Sequence, residues 1–136
     1  MLELLVDVLA TMHAHSPEAG VQEAACHAIW ALAYDNDRLR VEARRLRVLK
    51  DVRAAMQSFP DSWKVQGAAC GAIYNLVVEN KDNQVEARGL GMLSDVQAAM
   101  QAHTESVEVQ VCGALAMCAL SKWPCQAMGV QVEELF

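Results

Sequence analysis

Apolar residues recur along the chain at the spacing of one face of an α-helix. Within one segment the spacing i, i+4, i+7, i+8 and i+11 is followed by Val21, Ala25, Ala28, Ile29 and Leu32. Runs that alternate apolar and polar residues, as half-buried strands do, are absent. The pattern therefore predicts an all-α fold.

Polar breakers divide this pattern into separate helices. Apolar spacing predicts long helices over Leu2–His13 and Leu46–Phe59, with a shorter helix over Arg38–Arg44. Ser16-Pro17 offers an N-cap followed by a proline at the first helical position, so it predicts the start of the second helix. The joints between helices are predicted at Asp35-Asn36-Asp37, Pro60-Asp61-Ser62, Asn80 to Asn83, His103-Thr104 and Trp123-Pro124.

The same helical unit recurs with a period of 44 residues. VQEAACHAIWAL from Val21 aligns with VQGAACGAIYNL from Val65, and then with VQVCGALAMCAL from Val109. Over the first pair of copies, 21 of 37 aligned positions are identical. Fixed-period similarity is typical of solenoids. We therefore predict one domain over 1–136, with units at about 1–36, 37–80 and 81–124 and a partial C-terminal helix over 125–136.

The net negative charge of the chain disfavours nucleic acid as a partner. The formal net charge is -6, whereas proteins that bind nucleic acid usually present a basic face, so nucleic acid is disfavoured. Basic residues cluster once, between Arg38 and Arg53, where an acidic peptide or protein surface could bind. Nucleic-acid binding through that cluster is a further alternative, and it predicts salt-sensitive retention on polyanions.

Cysteine usage and hydropathy indicate an intracellular protein. The five cysteines form an odd set without close pairs, which favours free thiols in a reducing compartment. Met1 to Leu9 lacks the positive charge of a signal peptide, and no apolar run is long enough to span a membrane. We expect a cytoplasmic protein, with the nucleus left open. The cysteines are Cys26, Cys70, Cys112, Cys118 and Cys125.

The repeat resembles the armadillo repeat, in which a short helix precedes two longer antiparallel helices. Two stretches carry the resemblance: HAIWALAYDNDRLRVEARRLRVL from His27 to Leu49, and GAIYNLVVENKDNQVEARGLGML from Gly71 to Leu93. Both look like a third helix running into the first and second helices of the next repeat. HEAT repeats, which usually have two helices a unit, are the second choice. The resemblance implies a right-handed α-solenoid.

The resemblance also implies where a ligand would lie. Armadillo proteins such as importin-alpha hold extended peptides on their third helices, using a column of asparagines and, one turn earlier, a column of tryptophans. Here the asparagine column reads Ala31, Asn75 and Ala119, and the tryptophan column reads His27, Gly71 and Leu115. Only Asn75 matches. The glycine usual before the second helix is replaced at Arg44 and Arg88.

Large amphipathic residues occupy the outer stripe of the third helices, where polar residues are expected. Tyrosine and tryptophan are favoured as interface anchors, so we predict a partner-binding surface there. The alternative is that these rings pack on a neighbouring helix or are singly exposed. Glycines on the stripe could admit a close approach by a ligand or by another helix. The predicted surface comprises Glu23, His27, Trp30, Tyr34, Gly71, Tyr74, Asn75 and Val78.

Polar residues that recur in every copy are interpreted as structural. We expect inter-repeat hydrogen bonds from the glutamines, Gln22, Gln66 and Gln110. We expect the aspartates to be solvated or paired with arginine, Arg44 and Arg88 being the candidate partners; they are Asp7, Asp51 and Asp95. Histidine and cysteine lack metal-binding spacing, and catalytic motifs are absent, so no metal, cofactor or enzyme activity is expected.

Together these features predict a scaffold that binds a peptide or protein through its third-helix face. The alternative is a structural fragment of a larger armadillo protein without a ligand groove of its own. The chain begins inside a unit with a helix that is apolar on several sides, and solenoid ends need polar caps. Such a fragment would associate with another copy through its uncapped ends.

Overall fold

A computed structural model describes residues 2–121, which form eight α-helices and no strand. The predicted joint at Trp123-Pro124 and the predicted helix over 125–136 lie outside the described residues. The helices are α1 (Leu2–Ala14), α2 (Ala19–Ala33), α3 (Asp37–Arg45), α4 (Val48–Ser58), α5 (Trp63–Val77), α6 (Lys81–Leu90), α7 (Met92–Ala102) and α8 (Val107–Leu120).

The helices are arranged in two layers with short connecting helices. The third helices α2, α5 and α8 pack side by side, with α5 in the centre. Each of them also packs on the long helix that precedes it, α1, α4 or α7 respectively. The short helices α3 and α6 join one unit to the next. The prediction of an all-α helical solenoid is confirmed.

The core lies between the layers and is deepest around α5. Leu5, Ile29, Val52 and Ile73 are fully buried, and they fall on the apolar positions that recur along the sequence. Removing a side chain of this size from water contributes about 1.5–3 kcal/mol. Because α5 has a third helix on each side, most of its residues are buried, and little of its surface remains for a ligand.

Serine and asparagine caps set the helix starts. The side chains of Ser62 and Ser106 accept hydrogen bonds from the third residue of α5 and α8, and Asn36 and Asn80 do the same for α3 and α6. The prediction of a cap at Ser16-Pro17 is wrong. The N-cap of α2 is Glu18, without a side-chain cap bond. Glu18 lies 44 residues before Ser62, so the repeat period locates this helix start better than the local cap signal does.

A left-handed residue connects the first and second helices of each later unit. Arg47 (φ 62°) precedes α4, and Gly91 (φ 89°) precedes α7, 44 residues further on. The glycine expected before the second helix therefore corresponds to Arg47 and Gly91, three residues after Arg44 and Arg88. Only one of these two positions is a glycine. An arginine in this conformation costs about 1–2 kcal/mol relative to glycine.

The recurrent glutamines bond within a unit, not between units as predicted. Gln66 donates its amide hydrogens to the carbonyls of Met56 and Phe59, at 3.0 and 2.9 Å. These carbonyls lie at the end of α4, where helical partners are lacking. Gln22 and Gln110 make the equivalent pairs of bonds. Each glutamine thus joins the second and third helices of its own unit.

Two of the three recurrent aspartates, Asp51 and Asp95, link neighbouring second helices. Arg53 Nε of α4 donates to Asp95 of α7 at 2.7 Å, and His13 of α1 lies 2.8 Å from Asp51 of α4. Pairing with arginine therefore occurs at Asp95, but with a different arginine from those expected. Arg44 pairs with Asp82, and Arg88 donates to the carbonyl of Leu120.

Candidate partner-binding surface

Two glycines in the central third helix make room for side chains from both neighbours. A Cβ atom at Gly71 would lie 2.6 Å from Cζ3 of Trp30, which extends from α2. A Cβ atom at Gly67 would lie 2.8 Å from Cγ of Glu108, which extends from α8. Both glycines are buried. The placement of Gly71 on an open surface is therefore wrong, because its neighbours' side chains cover it.

The His27 side chain, on α2, lies close to side chains of both helices that flank α5. Its ring is stacked on that of Trp30, with centroids 5.7 Å apart and planes 13° apart. Its Nε2 lies 3.7 Å from Glu23 on the same helix and 4.0 Å from Glu108 on α8. Side chains of α2 and α8 thus meet over the α5 backbone.

A shallow cleft of about 560 Å³ opens beside this stack. Its most exposed large side chain is Tyr34, of which 73 % is accessible. The cleft brings together four of the eight predicted surface residues. It is lined by His27, Trp30, Ala31, Tyr34, Asn75 and Glu108.

The other four predicted residues, Glu23, Gly71, Tyr74 and Val78, do not line the cleft. Glu23 is half-buried next to His27, whereas Tyr74 and Val78 are half-buried and do not line the cleft. Glu108 was missed by the sequence analysis. It has no counterpart of the same type in the other units, since the aligned residues are Gly20 and Lys64, so the repeat gave no signal for it.

Asn75 supports the cleft from below. Its side-chain amide donates to the backbone carbonyl of Trp30 at 2.8 Å. Its backbone carbonyl accepts a hydrogen bond from Arg40 Nε at 2.7 Å. Only 4 % of Asn75 is accessible. Its amide nitrogen therefore joins α5 to α2, and it holds the backbone that carries Trp30.

A second cleft, of about 660 Å³, lies at the start of the third helices. Trp63 and Val107, which are 44 residues apart in sequence, begin α5 and α8 and are 45 % and 76 % exposed. This surface was not predicted from the sequence. Its lining is Trp63, Ala102, His103, Thr104, Glu105, Ser106, Val107 and Glu108.

The basic cluster between Arg38 and Arg53 is largely offset by carboxylates. Glu42 accepts a hydrogen bond from Arg45, and this bond lowers the pKa of the Glu42 carboxyl. The arrangement does not fit a free cationic patch for an acidic partner. The pairs are Arg40–Asp37, Arg44–Asp82, Arg45–Glu42, Arg47–Glu86 and Arg53–Asp95.

Within residues 2–121, the thiols and the histidines form no metal site. Burial raises the pKa of both Cys26 and Cys70 to about 12, so these thiols stay protonated at neutral pH. Across residues 2–121, no group of three histidine, cysteine, aspartate or glutamate side chains could hold a metal ion. In the same part of the chain, no helix is both long enough and apolar enough to cross a membrane.

Comparison with known proteins agrees with the helical repeat. No curated protein and no solved structure matches the chain. A family model described as LRRK2 ARM repeat matches residues 2–128, which include every helix described above. The chain therefore belongs to the LRRK2 ARM repeat family, and its 44-residue units are armadillo repeats.

Proposed function

We propose that this protein is an interaction scaffold that binds a peptide or protein surface through the cleft beside Trp30 and Tyr34. ARM repeats are a non-catalytic repeat fold that typically mediates protein interactions. The observation that supports this site is the convergence of His27, Trp30, Tyr34 and Asn75 on one open cleft. No catalytic role is proposed for any residue.

The chemistry of the cleft suits protein recognition. Tyrosine and tryptophan offer large contact areas with few rotatable bonds, and both can donate a hydrogen bond at their edge. Tyr34 is already accessible, whereas Trp30 is half-buried on Gly71. We therefore assign Tyr34 the role of contacting the partner, and Trp30 the role of forming the wall of the cleft.

The test compares Tyr34→Ala with Val41→Ala, a control that removes an exposed side chain from α3. Proteins retained by each immobilised variant are quantified, and the strongest is purified for calorimetric titration. Loss of a central aromatic anchor costs about 2 kcal/mol of binding free energy, so affinity should fall about thirtyfold for Tyr34→Ala. Equal affinity in both variants would refute the proposal.

A second candidate function is self-association through the face formed by α1 and α2. This face exposes Leu4 (56 %), which borders an apolar cleft of about 410 Å³. The cleft continues along both helices, lined by Asp7, Val8, Thr11, Gly20, Val21, Ala24, Ala25 and Ala28. A second copy could bury this surface, so the protein would act as a structural module.

Light scattering separates the two candidates. Self-association predicts a mass that rises with concentration, and that returns to the monomer mass in Leu4→Glu but not in the matched control Val41→Glu. A monomer mass for the wild-type chain at high micromolar concentration rules out self-association and leaves the Tyr34 experiment unaffected.

A further inference from the structure

We infer that Glu108 joins the two clefts into one track, and that this track binds an extended segment of a partner carrying an arginine or lysine beside an apolar residue. The inference rests on the proposed function and identifies the chemistry of its partner. Glu108 lines both clefts, so the cleft that contains Trp30 and the cleft that contains Trp63 share one carboxylate-bearing residue.

The position of Glu108 follows from the central helix. Because Gly67 has no side chain, Glu108 extends from α8 across α5 until its carboxylate is 4.0 Å from His27 Nε2. Its side chain remains 29 % exposed. A ligand that occupies both clefts would therefore pass this carboxylate, because Glu108 lines each of them.

The charge of the track favours a cation. Glu105 and Glu108 belong to the linings, Glu23 lies 3.7 Å from His27, and neither lining contains a lysine or an arginine. A guanidinium can pair with a carboxylate while its flat face lies on an aromatic ring. Tyr34 provides an exposed ring in the cleft that Glu108 also lines, whereas the Trp30 ring already lies against Gly71 and is stacked on that of His27.

The second cleft supplies the apolar contact. Trp63 and Val107 expose apolar surface at the first turns of neighbouring helices. Lys64 Nζ already lies 5.7 Å from the centroid of the Trp63 ring, so this ring has a cation of its own. We therefore assign the apolar residue of the ligand to Trp63 and Val107, and the basic residue to Glu108.

The test uses a peptide array with a central Arg, Lys, Gln or Glu, a neighbouring Leu or Ser, and randomised flanks. The labelled full chain should bind Arg and Lys peptides about fivefold more than Gln peptides, and Glu peptides least, with the difference shrinking as salt rises. Glu108→Gln should abolish the preference for a basic residue, and Glu108→Lys should reverse it. Glu3→Lys, which changes the charge equally on the exposed part of α1, should leave the preference unchanged. Trp63→Ala should remove the advantage of Leu over Ser.

Circular dichroism must show the same helix content in all variants. Because Glu108→Gln keeps the shape of the side chain, it remains informative if Glu108→Lys fails to fold. Equal binding of basic, neutral and acidic peptides, binding to no peptide, or an unchanged preference in Glu108→Gln overturns the inference. If Tyr34→Ala nevertheless loses a protein partner, the proposed function stands and only the assigned chemistry fails.

Discussion

The packing of Trp30 on Gly71 can be tested by adding a single methyl group. In Gly71→Ala the new Cβ would lie 2.5 Å from Cδ2 and 2.6 Å from Cζ3 of the indole ring. Ordinary contacts of this kind are near 3.5–4.0 Å, so the rigid ring must shift by about 1 Å. Overpacking of this kind costs about 1–3 kcal/mol. Alanine regains up to about 1 kcal/mol of helix propensity. The free energy of unfolding should therefore fall by about 0–2 kcal/mol.

Gly89→Ala is the matched control, because a Cβ atom at this helical position meets nothing within 4 Å. It should raise the free energy of unfolding by up to about 1 kcal/mol. Urea unfolding followed by circular dichroism measures both variants, and we expect them to differ by about 1–3 kcal/mol.

A double-mutant cycle assigns the cost to the indole ring. In a Trp30→Ala background the clash is absent, so Gly71→Ala should become as favourable as Gly89→Ala. If Gly71→Ala is stabilising in the wild-type background, or costs the same with and without Trp30, then the ring does not cover this glycine and our account of the cleft wall is wrong.

Three further predictions concern buried polar groups and thiols. Gln66→Ala removes the side-chain donor from the Met56 carbonyl and one of the two donors from the Phe59 carbonyl, which keeps the Ser62 N–H, so the free energy of unfolding should fall by about 1–3 kcal/mol in urea titrations; no loss would contradict the capping role. Asn75→Ala should cost about 1–2 kcal/mol and weaken partner binding through displacement of Trp30, and unchanged stability and binding would count against this bracing. The Cys70 thiol, with its pKa raised to about 12 by burial, should resist alkylation between pH 7 and 9, whereas the half-buried Cys118 should react; rapid native-state labelling of Cys70 would disprove its burial.

The repeat period decided most of what could be predicted about the fold. Apolar spacing defines each helix, and a 44-residue shift brings the copies into register, so the order and type of the helices follow from local sequence. The local cap signal at Ser16-Pro17 gave the wrong start for α2. Counting back one 44-residue period from Ser62, the N-cap of α5, gives Glu18, which is the N-cap of α2. A pattern present in several copies outweighs a single local preference, because each copy must satisfy the same packing.

The surface was predicted only in part, because it depends on contacts between units. The sequence alone predicted that Trp30 and Tyr34 lie on the outer stripe of a third helix, with Asn75 beside this stripe in the next unit, whereas α2 ends at Ala33, just before Tyr34. Only the tertiary structure decided that Trp30 covers Gly71, that Asn75 bonds to the backbone beneath the cleft, and that Glu108 reaches over Gly67 to His27. Side chains from residues far apart in sequence meet there, and the distance between neighbouring helices, which the glycines set, determines which of them remain exposed.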